Sequence, residues 1–321
     1  MQCPIVKMNT MAVYLITGIA GFIGSSLARE LLQRGEKVRG VDNFSTGKRE
    51  NLSQILGRID LREADILDLD AMKSASTGVD YVLHQAAIPS VPKSVLDPIG
   101  SNRANVDGTV NVLVAARDAK VKRVIYAASS SAYGDTPTLP KHERMTPDPI
   151  SPYAVAKLAS ERYMISFYRC YGLETVALRY FNIFGPRQDP SSPYSGVLAK
   201  FITQMLAGQQ PTIFGDGEQS RDFTYIDNAV EANLLACKAP AEVAGKVFNV
   251  ATGRRVTLNE TFKLLQTLTS YTGSPIYGAE RGGDIKHSLA DISAAEKNLG
   301  YKPKVDFEQG LQQTVEWYRS R

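Results

Sequence analysis

Short apolar runs alternate with amphipathic stretches of helical period along the first half of this chain. Val13–Thr17 reads as a buried strand and Phe22–Arg34 as a helix stopped by Gly35, a residue suited to the left-handed turn that closes helices. Lys37–Val41 predicts a second strand, a helical stretch follows around Leu67–Ser74, and Tyr81–Gln85 predicts the next strand. The alternation continues with a helix over Asn105–Ala119, a strand over Arg123–Ala127, a helix over Tyr153–Tyr171 and a strand over Thr175–Tyr180. Strands regularly separated by helices imply an α/β fold with a doubly wound parallel sheet.

From about Phe181 the texture changes. Gly185–Gly196 is rich in Pro, Ser and Gly, and Gly208–Gly217 is again loop-like. Helical segments around Val197–Ala207, Asn228–Ala239 and Leu258–Thr267 are separated by short strands such as Val247–Val250. The pattern predicts one domain over residues 1–180, which also receives residues 228–252, and a smaller C-terminal α/β region over residues 181–321. That region is expected on the carboxyl ends of the strands, where ligands bind in such folds. No repeat, low-complexity tract or long linker separates the two, so close packing is expected.

Composition narrows the class. The 321 residues are 43% hydrophobic and 22% charged, enough to bury a substantial core. The net charge of +4 comes without a run of like charges or a basic stripe interleaved with aromatics, which argues against nucleic acid as a partner. A mild basic excess suits a polyanionic small molecule. Cys3, Cys170 and Cys237 lie far apart and predict free thiols in a reducing compartment, and His84, His142 and His287 are too scattered for a metal site. Met1–Thr10 lacks the apolar core of a secretion signal, and Ala12–Thr17 is too short to span a bilayer. The expectation is a cytoplasmic protein with no membrane partner.

The stretch from Leu15 to Gly24 contains Gly18, Gly21 and Gly24 as a GxxGxxG turn between a strand and a helix. Such glycines permit a sharp turn, close approach of a pyrophosphate to the main chain, and tight helix–strand packing; the helix N-terminus then offers amides and a positive dipole end. Asp42 falls at the end of the second predicted strand, 24 residues after Gly18, where a carboxylate accepts hydrogen bonds from ribose hydroxyls and repels a 2′-phosphate. The reading is a Rossmann-type site for NAD rather than NADP. Asp65-Ile66 is placed at the adenine edge.

Tyr153 and Lys157 are four apart after Ser151-Pro152, a plausible helix start, so both side chains share one face. A lysine ammonium there is expected to lower the phenol pKa and make Tyr153 a base near neutral pH. The serine cluster Ser129, Ser130 and Ser131 follows the strand Arg123–Ala127, so a hydroxyl would stand beside the cofactor within reach of Tyr153 and a substrate oxygen.

With these motifs on the page, the chain resembles the extended short-chain dehydrogenases/reductases, and within them the UDP-glucose and UDP-N-acetylglucosamine 4-epimerases. The likeness runs from Leu15 to about Ala295. It is carried by TGIAGFIG at Thr17–Gly24, VDNFSTG at Val41–Gly47, HQAA at His84–Ala87, SSSAYGD at Ser129–Asp135 and SPYAVAK at Ser151–Lys157. It continues with LRYFNIFGPRQDP at Leu178–Pro190, SRDFTYIDN at Ser220–Asn228 and GDIKHSLAD at Gly283–Asp291. The resemblance implies that Tyr153 is the catalytic base, Lys157 its modulator and Ser129 the hydroxyl that shares the proton. It implies cofactor contacts from Phe22, Ile23, Asn43, Gln85, Ala86, Asn105, Tyr153, Lys157 and Tyr180 in addition to the glycines, Asp42, Asp65 and Ile66. For a UDP-sugar substrate it implies Ser129, Ser130, Ser131, Asn182, Gln188, Gly196, Phe214 and Ser288, with Arg221 and Arg281 clamping the pyrophosphate through their planar forks.

Related 4,6-dehydratases carry Asp-Glu after the hydroxyl residue, and the decarboxylases usually a glutamate; here those positions are Ser130 and Ser131. An epimerase needs no further acid or base, which makes 4-epimerisation the expected reaction, with NAD regenerated each turnover. A small residue at Ser288, seven after Arg281, implies room for an N-acetyl group, hence UDP-N-acetylglucosamine/UDP-N-acetylgalactosamine with UDP-glucose/UDP-galactose as further candidates. Pro89, where relatives commonly have glycine, keeps a UDP-hexuronic acid open. A UDP-sugar decarboxylase or dehydratase and a non-catalytic NAD-binding regulator remain the competing readings. Relatives dimerise through two helices per subunit, matching Asn105–Ala119 and Tyr153–Tyr171, so a homodimer is expected.

Overall fold

The computed structural model describes residues 11–190, 196–280 and 285–321. The first part of the chain runs β1 (Val13–Thr17), α1 (Phe22–Gln33), β2 (Lys37–Asp42), β3 (Asp60–Glu63), α2 (Leu69–Ser76) and β4 (Tyr81–His84). It continues with α3 (Val91–Leu96), α4 (Pro98–Asn102), α5 (Gly108–Asp118), β5 (Arg123–Ser129), α6 (Pro152–Tyr171) and β6 (Thr175–Tyr180). Successive strand residues face opposite sides. Leu15 therefore enters one core, with Val82, Val112 and Val124, while Ile16 enters the other, with Leu27, Leu83 and Ile125. With both faces covered, β6 is buried along its whole length and β5 along all but its last residue.

The second part comprises β7 (Ile183–Phe184), α7 (Val197–Leu206), β8 (Thr212–Phe214), β9 (Ser220–Arg221), β10 (Thr224–Tyr225) and α8 (Ile226–Lys238). It ends with β11 (Lys246–Val250), β12 (Val256–Thr257), α9 (Leu258–Thr269), β13 (Ile276–Gly278), α10 (Ser293–Leu299) and α11 (Phe307–Arg319). β11 leaves its chain neighbours and pairs with β6, giving a seven-stranded parallel sheet ordered β11-β6-β5-β4-β1-β2-β3. The short strands form three two-stranded ladders, β7 with β10, β8 with β13 and β9 with β12. Phe184, Phe223, Tyr225 and Phe307 pack edge-to-face and stacked where this part meets α11.

Strand order reverses on either side of β1 and β4, and the crevice beyond the carboxyl ends of those strands is where a ligand fits this topology. Two local features departed from the hydrophobic pattern. β3, with the sequence Asp-Leu-Arg-Glu, is an edge strand paired to β2 alone, so solvent-facing charge hid it. The helix expected over Asn105–Ala119 instead opens with a widened π-turn at Arg103–Asp107 before α5. The Asn105 carbonyl accepts from the Thr109 hydroxyl at 2.6 Å and from Ser160 of α6 at 2.8 Å. Among the described residues no helix is long and apolar enough to cross a membrane.

Candidate active site

A cleft of about 860 Å³ lies along the carboxyl ends of β1, β2, β4, β5 and β6. Gly18, directly after β1, has φ +70°, and a Cβ there would stand 2.8 Å from the backbone of Ala86. A Cβ at Gly24 would collide with the Gly18 carbonyl. The sequence thus folds into a turn in which backbone replaces side chain. α1 begins at Gly21 with no side chain capping its first amides, and Gly21, Phe22 and Ile23 line the cleft. This cradle fits a dinucleotide pyrophosphate.

Asp42, at the end of β2, is 7% exposed, and its carboxylate accepts the amides of Ala20 and Phe44, each at 2.8 Å. Burial raises its pKa while those two amides oppose the rise. Asn43 donates to Asp65 at 2.7 Å, and both line the same end of the cleft as Ile66. Gln85, Ala86 and Tyr180 line its middle. Tyr180 donates to Gln85 (3.2 Å), Asn233 of α8 donates to Tyr180 (2.7 Å), and Gln85 donates to Asn233 (3.2 Å), closing a ring of hydrogen bonds. Asn105 does not itself line the cleft. It is 2% exposed, lies behind the cleft wall and braces the segment after β4 by accepting the Ile88 amide at 3.0 Å. His84 is a core residue between Thr17 and Thr109, its pKa driven to about 3 by burial and by the Lys157 charge.

Ser151 caps α6 through the Ala154 amide, and Pro152 occupies the first turn. The Tyr153 amide donates to Ser94 of α3 at 3.0 Å, which fixes the start of the helix against that wall. Tyr153, Lys157, Ser129 and Ser130 all line the cleft. Lys157 donates to the Ala127 carbonyl at 2.8 Å, and burial lowers its pKa to about 7. Burial pushes the Tyr153 phenol up to about 12, against a hydrogen bond with Ser129 that pulls it down. In the protein without its cofactor, desolvation is the largest influence on both groups. Ser131 does not line the cleft; its hydroxyl donates to Ser129 at 2.8 Å. The carboxylates on the cleft wall, Asp42, Asp65 and Asp189, belong to other segments.

A second cavity of about 250 Å³ adjoins the first, sharing Asn182, Ile183, Gln188 and Gly196 with it. Asn182 sits at φ +40°, a region asparagine tolerates better than most residues, and donates to the Asp222 carbonyl at 3.1 Å. Phe214, Gln219 and Arg221 complete the far wall. Arg221 donates to the carbonyls of Ser220 (3.0 Å) and Lys286 (3.2 Å). Ser288 is half-buried beside this strand, its amide bonded to Ser220, but lies on neither cavity wall. Arg281 lies outside the described residues. Buried Asp222 gathers the amides of Thr252, Gly253 and Ala290 and ties β9 to the segment carrying Ser288. Sequence reasoning missed Ser94, Asn233, Lys48 and Arg187. Arg187 stood inside the quoted LRYFNIFGPRQDP stretch, where a cation beside Gln188 was the available signal; Asn233 gave none.

The chain matches the NAD dependent epimerase/dehydratase family over residues 14–251. A UDP-glucose 4-epimerase from Thermotoga maritima, solved with UDP-glucose, is 41% identical with a TM-score of 0.91, covering 96% of this chain and 99% of that one. A UDP-N-acetylglucosamine 4-epimerase from Methanobrevibacter ruminantium, in complex with UDP-N-acetylmuramic acid, is 41% identical with a TM-score of 0.92, covering 97% and 99%. A UDP-glucuronic acid 4-epimerase from Bacillus cereus, solved with NAD and a fluorinated UDP-sugar, is 31% identical with a TM-score of 0.88, covering 96% and 99%.

Proposed function

The chain belongs to the NAD dependent epimerase/dehydratase family, and we propose that it is a UDP-hexose 4-epimerase that accepts N-acetylated sugars, interconverting UDP-N-acetylglucosamine and UDP-N-acetylgalactosamine. The observation that carries this reading is the end of β5. Tyr153, Lys157 and Ser129 converge there, and the positions after Ser129 are Ser130 and Ser131 rather than carboxylic acids. That set can move one proton to and from a sugar hydroxyl, and it lacks the second acid–base group that elimination needs.

NAD bound along the glycine cradle supplies a hydride acceptor that takes hydrogen from C4 and returns it to the opposite face of the ring. The protein does the rest. Gly18, Gly21 and Gly24 let the main chain reach the pyrophosphate, and Asp42 and Asp65 meet the adenosine end. Tyr153 removes the 4-hydroxyl proton, helped by the Ser129 hydroxyl and by the Lys157 ammonium beneath it. Asn182, Gln188, Phe214 and Arg221 hold the UDP part in the smaller cavity, whose shared wall leads the sugar to Tyr153 in the larger cleft, and Arg281 is assigned to the same clamp. Gly196, without a side chain, lines both cavities, which is compatible with a bulky C2 substituent on the sugar.

The same reading includes a cytoplasmic homodimer formed through α5 and α6, and Val155 and Tyr163 of α6 are exposed apolar side chains that such a contact could cover. Proton NMR of the protein with UDP-glucose, UDP-N-acetylglucosamine and their uronic acids, without added NAD, reports reaction and substrate together. Ser288→Tyr is expected to cut turnover of N-acetylated substrates at least tenfold while sparing UDP-glucose. An unchanged ratio of the two substrates removes the N-acetyl assignment.

A further inference from the structure

The segment Arg187–Asp189 follows β7 and so belongs by chain order to the sugar side, yet its charged groups reach back to the cofactor side. Arg187 is held at φ +72°, in the left-handed region. Its Nη2 donates to Ser26 Oγ on α1 at 3.1 Å, one turn beyond the glycine cradle. Its Nε is buried and finds no hydrogen-bond partner among the described residues. Arg29 of α1 and Arg321 add positive charge nearby, and burial with that repulsion lowers the proton affinity of the guanidinium. Two residues on, Asp189 pairs with Lys48 at 3.0 Å. Lys48 lies on the segment after β2, its own amide bonded to the Ala20 carbonyl inside the glycine turn. Between them, the Gln188 carbonyl accepts the Tyr318 hydroxyl of α11. Lys48, Arg187, Gln188 and Asp189 all line the large cleft, and Gln188 also lines the sugar cavity.

We propose that Arg187–Asp189 is a clasp over the cofactor, in which Arg187 binds a phosphate oxygen of the NAD pyrophosphate and the Lys48–Asp189 ion pair holds the segment shut. A buried donor without a partner, on a guanidinium that faces Arg29 and Arg321 as well as Asp227, is completed by an anion. The glycine turn and the uncapped start of α1 bring the dinucleotide pyrophosphate to that end of the cleft. The ion pair joins the two walls, so cofactor release requires breaking it. The inference rests on the family's use of NAD, not on the choice of sugar or reaction.

The test is the rate at which the purified holoenzyme loses NAD, followed by displacement with excess NADH and its fluorescence. Arg187→Met is expected to speed release about tenfold or more, and Arg187→Lys to recover part of that loss. Asp189→Asn and Lys48→Met are expected to speed it about two- to fivefold, as befits a half-exposed pair. The exchange of the two charges, Lys48→Asp with Asp189→Lys, should return the rate to within about twofold of the parent. Thermal unfolding of the NAD-free proteins reports whether each variant folds. Wild-type release from a folded Arg187→Met, or a raised UDP-sugar KM with NAD release untouched, overturns the assignment of Arg187 to the cofactor. Failure of the charge exchange to restore retention overturns the clasp. None of these readings depends on epimerisation, so loss of the proposed reaction and loss of this inference are separate results.

Discussion

On the cofactor side of the cleft, the facing groups are backbone and strand ends. Gly18 and Gly24 are placed by the turn after β1, Asp42 by the end of β2 and Gln85 by the end of β4, all in one hydrogen-bonded sheet. On the sugar side, Asn182, Gln188, Phe214 and Arg221 come from two-residue and three-residue strands and their loops, gathered from segments far apart in the chain. The first wall is stiff because its geometry is that of a seven-stranded core. The second is set by individual contacts such as Asp222 with Thr252, Gly253 and Ala290. Rigid placement suits a cofactor that the family holds in common. Loop-built walls suit the part that distinguishes one hexose from another, and the relatives named above differ in their sugars while sharing the cofactor-binding frame.

Three experiments sharpen or break this contrast. Tyr153→Phe should lower kcat by about three orders of magnitude while leaving NAD content and UDP-sugar binding nearly intact, as the proposed proton-transfer role of the phenol at the seam requires. If cofactor content falls with it, the seam is part of the cofactor wall. Asp42→Ala should weaken NAD by about ten- to a hundredfold through loss of charged hydrogen bonds and should narrow the preference for NAD over NADP, with the UDP-sugar KM unmoved. Equilibrium binding of both cofactors measures it, and a sugar-side effect of equal size would show that the two walls are coupled.

The smallest effect concerns the core beneath the cofactor wall. His84 has a native pKa near 3 against an ordinary 6.5, so between those values the unfolded chain binds the extra proton and the native state does not. Stability conferred by keeping this ring neutral is present above pH 6.5 and is lost as pH falls toward 3, by at most about 1.4 kcal/mol per pH unit. Urea unfolding at pH 7, 6 and 5 should show a shallower decline for His84→Gln than for the parent. Parallel declines would mean that the Thr17–His84–Thr109 chain does not govern the acid response of this wall.

The first wall was also the more legible one. GxxGxxG and the carboxylate after β2 sit in consecutive elements, and their roles follow from local backbone geometry and from the order of strands. Tyr153 and Lys157 were legible because a helix places residues four apart on one face. Nothing local announces the π-turn that carries Asn105, whose side chain holds the Ile88 segment of the cleft wall rather than lining the cleft itself. Ser131 was drawn in by adjacency, but the chain turns into a 3-10 helix at Ser130–Tyr133 and Ser131 spends its hydroxyl on Ser129 instead of lining the cleft. Asn233 and Ser94 escaped notice because each acts across a long separation in the chain, 53 residues to Tyr180 and 59 to Tyr153.

The amino-acid sequence determined the alternation of strands and helices, the parallel sheet, the glycine cradle and the tyrosine–lysine face, since these depend on side-chain period and on short-range sterics. Tertiary structure decided the rest. It placed β11 beside β6, set Tyr153 against Ser129 at the end of β5, and folded Arg187 and Asp189 back onto α1 and the segment after β2. Burial and contacts between distant segments exist only once the chain has packed, and they set both proton affinities and the partners of charged groups.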